Sequence, residues 1–254
     1  MDFDSSAEAY PFNLLVGANQ VCEGVLRREV QMREFNAFHG YPEPSEPRYV
    51  SPNLRKIENR IIASYRGREF YDGDRANGYG GMKDDGRWKK IAENLIQDYN
   101  LSTMDHVLQI NAHKGFLLYE LYRLGIRTTG TEVSEYVAPD SAVVLTRCPF
   151  TKQPFEDKTF DLVICASPAY SENLAGCIQI IKEVQRVGKG KSFITLAAID
   201  HDDDIDSLML LRNWFLLGTT ILTKSDWVKV MEHCGYTGDY RFDTAEYLNL
   251  AWAQ

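Results

Sequence analysis

From His106 onward the chain alternates short apolar runs with amphipathic stretches, and that alternation constrains the fold more than any other feature. His106-Val107-Leu108-Gln109-Ile110 predicts a strand, Asn111 to Gly115 a loop, and Phe116 to Leu124 a helix closed by Gly125. Strands are expected over Arg127–Val133 and Ala142–Thr146. Phe160-Asp161-Leu162-Val163-Ile164-Cys165 is almost continuously hydrophobic, as a strand covered on both faces must be. A helix follows from about Ser171 to Val187, halted by Gly188. Ser192–Ile199 predicts another strand and Ser225–Cys234 a helix stopped by Gly235. Two last strands are expected near Tyr240 and Tyr247 to Trp252. Alternation of this kind builds a mainly parallel, doubly wound α/β sheet of the Rossmann-like type.

The residues before this pattern read differently. Asn19 to Phe38 has loosely helical spacing on a charged background, and three prolines between Pro42 and Pro47 make a stiff linker. Asn53 to Arg66 predicts a helix. Tyr71 to Gly81 holds four glycines in eleven residues, which signals turns or close backbone approach. Arg87 to Tyr99 places Trp88, Ile91, Ala92, Leu95, Ile96 and Tyr99 on one helical face. The expected division is therefore residues 1–84 as an N-terminal helical extension with a glycine-rich lid, and residues 85–254 as the Rossmann-like domain. The extension is suited to capping a pocket or to packing against a second copy as a homo-oligomer.

Composition excludes several classes. A net charge of -8 argues against binding duplex nucleic acid through phosphates. No apolar run approaches the roughly 20 residues needed to span a bilayer, so no membrane partner is expected. Cys22, Cys148, Cys165, Cys177 and Cys234 are odd in number and form no Cys-x-x-Cys pair. Reduced thiols in the cytoplasm follow, and no metal is expected.

In such a sheet a ligand sits beyond the carboxyl ends of the strands, where strand order reverses. The loop Asn111-Ala112-His113-Lys114-Gly115 lacks the Gly-x-Gly-x-x-Gly dinucleotide pattern. Glu132, ending the second strand, can accept hydrogen bonds from both hydroxyls of a ribose; alternatively it is a solvated strand-end acid.

The loop ending at Gly115, the strand ending at Glu132 and the run Pro154-Phe155-Glu156-Asp157-Lys158-Thr159-Phe160-Asp161-Leu162-Val163 together resemble a class I S-adenosylmethionine-dependent methyltransferase over residues 85–254. Gly235-Tyr236-Thr237-Gly238-Asp239-Tyr240 sits where such enzymes enter a terminal hairpin. The resemblance implies a seven-stranded sheet, S-adenosylmethionine as cofactor, and methyl transfer. It implies cofactor contacts at Gln109, Asn111, Ala112, His113, Gly115, Glu132, Val133 and Cys165, although Cys165 also reads as core. The chain departs from the family at Gln109, where an acid is usual, at Asn111, where a glycine is usual, and at His113, near which another small residue is usual.

Tyr71–Gly81 and Arg87-Trp88 resemble the lead-in of methyltransferases acting on sugars and natural products, which implies that Asp72, Arg75, Asn77 and Tyr79 line a substrate pocket and that Asp74 is a catalytic candidate. The alternative is a glycine-rich surface turn. Ala76 and Asn77 rule out an EF-hand there. Asp200-His201-Asp202-Asp203-Asp204-Ile205-Asp206 follows the fifth strand. His201 or Asp200 could serve as a general base, while a solvated acidic loop is the plainer account. The expected function is methylation of a small polar metabolite such as a sugar or nucleotide-linked sugar. A catalytically silent binding or regulatory protein, or the same scaffold serving another ligand, remains an alternative.

Overall fold

The computed structural model describes residues 32–137 and 143–254. Seven strands lie side by side: β1 (Arg33–Glu34), β9 (Asp239–Asp243), β7 (Gly188–Ile199), β6 (Phe160–Cys165), β3 (His106–Ile110), β4 (Arg127–Glu132) and β5 (Leu145–Arg147). A short β8 (Leu222–Thr223) joins β7 off this path. Every pairing among the described residues is parallel. The fold is thus the Rossmann-like, doubly wound sheet expected.

Two hydrophobic layers explain the arrangement. Side chains alternate across each strand. Val107, Leu162, Ile164 and Phe193 face one layer, covered by α3 (Arg87–Asp98) and α4 (Phe116–Arg123). Leu108, Ile110, Val163, Cys165, Ile194 and Leu196 face the other, covered by α5 (Leu174–Val187) and α7 (Lys224–His233). In α3 the periodic face buries Ile91, Ala92 and Leu95. Each large apolar side chain so buried contributes about 1.5–3 kcal/mol. The Asn173 carboxamide accepts from Gly176 N at 3.0 Å to start α5, and Gly188 ends it. In β4, Gly130 sits under Leu118 and Leu145, and a Cβ there would collide with both side chains.

Several local expectations need correction. Residues 33–38 are not helical: Arg33–Glu34 pair with β9, and an Arg33–Asp239 ion pair at 2.8 Å, joined by Tyr99 Oη to Asp239 at 2.8 Å, fixes them there. The rest of the expected helix lies outside the described residues. No terminal hairpin forms among them. After β9 the turn at 244–249, with Leu248 N donating to Thr244 O, redirects the chain. Residues Leu250–Trp252 (β10) then run parallel to Arg48–Val50 (β2) as a second, two-stranded sheet. Part of the expected acidic loop instead starts helix α6 (Ile205–Trp214), capped by Asp204 accepting from Ser207 N. Short helices α1 (Ile57–Ser64) and α2 (Arg68–Tyr71) carry the lead-in toward the sheet.

Candidate functional site

A cavity of about 640 Å³ opens at the carboxyl ends of β3 and β6, the point where strand order reverses. Gln109 in β3 and Asn111 just after it, Ala166 and Ser167 after β6, and Thr195 in β7 line its floor. The lead-in supplies Tyr79 and Arg75 to the lining, and the segment after α6 supplies Phe215 to Gly218.

The loop between β3 and α4 holds three left-handed residues in five: Asn111 (φ 62°), His113 (φ 53°) and Gly115 (φ 74°). Only the third is glycine. A non-glycine residue in this region costs about 1–2 kcal/mol, so the fold enforces a glycine-like path at two positions whose side chains oppose it. Ser167 (φ 78°) is a further left-handed residue at the cavity, and its N–H donates to Thr195 Oγ1 at 2.9 Å. Strain gathered in this way is characteristic of ligand sites.

Glu132 braces that loop from beneath. It is 1 % exposed. One carboxylate oxygen accepts from His113 N at 2.9 Å, and the other from Val133 N at 2.8 Å and Ser134 N at 3.3 Å. Glu132 therefore lies beside the 111–115 turn, as its sequence position suggests, yet it does not line the cavity. Tyr71, Tyr79 and His113 pack together in this region. Burial pushes the His113 imidazole below its usual value; Glu132 opposes this and Arg66 adds to it. His113 Nε2 lies 3.2 Å from both Tyr79 Oη and Asn111 Nδ2.

Three polar atoms of the lining residues are buried without a hydrogen-bond partner: Gln109 Oε1, Asn111 Oδ1 and His113 Nδ1. An unpaired buried polar atom costs about 1–3 kcal/mol. Two of these three are pure acceptors, a chemistry that fits a ligand's ammonium group. The residues thus match the amino-acid end of S-adenosylmethionine. At the ribose end the expected carboxylate is engaged by backbone, so the loop as it stands does not match that part of the cofactor.

The remaining sequence candidates fall in four places. Asp72 accepts from Lys114 Nζ at 2.6 Å, Tyr136 Oη at 2.8 Å and Met82 N at 3.1 Å. Burial alone would raise its carboxyl, but those bonds hold it below the usual range. Asp72 ties the lead-in to the loop between β3 and α4 and is not among the lining residues. Asp74 caps a 3₁₀ turn by accepting from Ala76 N at 2.7 Å, and Asn77 accepts from Asn59 Nδ2. Both lie off the lining. Asp200 pairs with Lys224 at 2.6 Å and His201 is exposed, and neither reaches the cavity. Ala112, Val133 and Cys165 pack into the hydrophobic layers, and burial raises the Cys165 thiol strongly.

Sequence reasoning missed the most distinctive property of the cavity. Arg48, Arg55, Arg66, Arg75, Lys83, Arg87 and Arg241 line it, and among the described residues no aspartate or glutamate does. Six of these seven cations come from residues 48–87 and the seventh from β9, and only the folded structure brings them to one cavity. Among the described residues no group of His, Cys, Asp and Glu is placed to hold a metal ion, and no helix is long and apolar enough to cross a membrane.

No known protein family and no curated protein matches the chain. Solved structures do. A candidate methyltransferase from Bacillus halodurans is 19% identical over 57% of this chain and 68% of its own, with a TM-score of 0.47. The YcgJ protein of Bacillus subtilis is 16% identical over 56% of this chain and 66% of its own, with a TM-score of 0.47. A SAM-dependent methyltransferase from Methanosarcina mazei is 19% identical over 55% of this chain and 82% of its own, with a TM-score of 0.42.

Proposed function

We propose that the chain is an S-adenosylmethionine-dependent methyltransferase acting on a small polar molecule. The observation that carries this reading is the 111–115 loop. It follows a glycine-like path at the switch point, with Gln109 Oε1 and Asn111 Oδ1 left unpaired beside it. When bound, the cofactor would supply an activated methyl group on sulfonium. The chain's own residues would then hold its amino-acid end through Gln109 and Asn111, and exclude water with Tyr79, Phe70 and Trp88 of the lining. Among the described residues the lining contains no carboxylate, and the half-buried His113 imidazole packs against Tyr79 and Asn111. The acceptor therefore suits this cavity best if it is already a nucleophile and needs no base to deprotonate it.

Calorimetry of the purified chain with S-adenosylmethionine and S-adenosylhomocysteine tests the proposal. Micromolar binding of either supports it, and silence from both at millimolar concentration removes it. The engaged state of Glu132 favours a second reading, in which the same scaffold serves a different ligand. Mass spectrometry of small molecules that copurify with the chain would identify such a ligand.

A further inference from the structure

The cations of the cavity are not equivalent. Arg87 pairs with Asp85, and Arg241 with Asp243. Arg48, Arg55, Arg66, Arg75 and Lys83 have no carboxylate partner among the described residues. Three of them meet at Trp214, two at its ring and one at its backbone oxygen. The Arg48 guanidinium carbon lies 5.6 Å from the centre of Trp214, and that of Arg75 lies 5.9 Å from it. Arg55 donates to Trp214 O at 3.3 Å, Arg75 O at 2.9 Å and Ala76 O at 3.0 Å. Burial, then Arg75 and Arg60, depress the Arg55 guanidinium below its usual value. Gathering like charges at a half-buried site opposes folding unless something negative joins them.

The protein as a whole is acidic, at -8. A patch of uncompensated positive charge inside a concave site is therefore a local arrangement and not a reflection of composition. Guanidinium forks match phosphate oxygens in pairs, and arginine outnumbers lysine here four to one. The volume is that of a metabolite site, not of a groove for a polymer.

We propose that the Arg48–Arg55–Arg75 end of this cavity binds the phosphate or pyrophosphate group of a small molecule, which defines the substrate class of the site. That this molecule is the substrate for methylation rests on the function proposed above. The anion site itself does not.

The experiment is isothermal calorimetry of the full chain at low and moderate salt with three probes: inorganic pyrophosphate, a nucleoside diphosphate and citrate. Pyrophosphate and the nucleoside diphosphate should bind, more weakly as salt rises. Arg48→Ala and Arg75→Ala should each weaken binding about tenfold, the loss of one charge-assisted contact. Arg48→Lys, which keeps the charge and loses the fork, should fall between. Arg147→Ala, which removes an ion pair with Glu135 outside the cavity lining, should bind as the parent does. A thermal melt of each variant confirms that it is folded. Arg48→Lys guards against a variant that is not, because it retains the stem and the charge. No binding of either phosphate compound overturns the proposal. So does equal affinity in the parent and the folded arginine variants, or citrate binding as tightly as pyrophosphate. If pyrophosphate binds while S-adenosylmethionine does not, the anion site stands and the methyl-transfer reading fails. The opposite pattern fails this inference alone.

Discussion

Replacing Glu132 by glutamine should destabilise the protein whether or not any ligand is present. The carboxylate is 1 % exposed and accepts three backbone N–H groups, one on one oxygen and two on the other. Glutamine keeps the shape but offers one acceptor oxygen and one NH₂. The cheaper orientation keeps the oxygen toward Val133 and Ser134 and turns the NH₂ toward His113 N. One charge-assisted bond, worth about 1.5–3 kcal/mol, is then lost. The His113 N–H is left facing another donor at a further cost of about 1–3 kcal/mol. Burying a neutral group in place of a charge returns part of this, so a net loss of about 3 kcal/mol is expected. For a domain of this size that is roughly 6–12 °C in Tm. Scanning calorimetry and urea unfolding followed by tryptophan fluorescence measure it directly. A Tm drop below about 2 °C would show that Glu132 is not what holds the 111–115 turn, and with it the case for a fold-enforced loop path would fail.

Asn111→Gly should raise stability by about 1 kcal/mol: the left-handed strain and the unpaired carboxamide oxygen go, and the greater freedom of unfolded glycine offsets part of the gain. The same variant should weaken S-adenosylmethionine binding; a lower Tm would contradict the strain argument. Folded His113 holds its proton less readily than unfolded histidine, so the unfolded state binds more protons as pH falls, and stability should decline below about pH 6.5. His113→Gln should flatten that part of the stability–pH curve, leaving the share contributed by His106, which burial also depresses; an unchanged slope would remove His113 as its source. Asp72→Ala strands Lys114 and releases Met82 N and Tyr136 Oη. It should cost about 2–4 kcal/mol and speed amide exchange across residues 68–82, and unchanged exchange there would show that Asp72 does not anchor the lead-in.

The central strands of the sheet were legible because each announces itself locally. Phe160–Cys165 reads as a doubly covered strand from six residues alone, and the face of Arg87–Tyr99 follows from spacing. Partners far apart in sequence were not legible. Nothing in Arg33–Glu34 says that Asp239 waits to receive it, and a two-residue strand carries no periodicity. The turn that sends the chain into β10 depends on Arg48–Val50 being present to accept it. At the site, the glycine-like path of Asn111 and His113 was hidden because residue type normally reports backbone angle. Here the bonds of His113 N to Glu132 and of Ala112 N to Thr131 O hold the loop on that path. Most arginines that line the cavity are singly unremarkable in the sequence; Arg75 and Arg87 stand out there for a different reason, the resemblance of the lead-in.

The pairing of β1 with β9 and of β2 with β10 also governs how the molecule can be made. Arg33 and Asp239 stand 206 positions apart, so a ribosome releases the two early strands long before the late ones they zip onto. Contacts of such reach form slowly, and through most of synthesis Arg33–Glu34 and Arg48–Val50 have no mate. A chain trimmed to begin at residue 85 would leave β9 and β10 with bare rims, the sort of edge that recruits neighbouring molecules into aggregates.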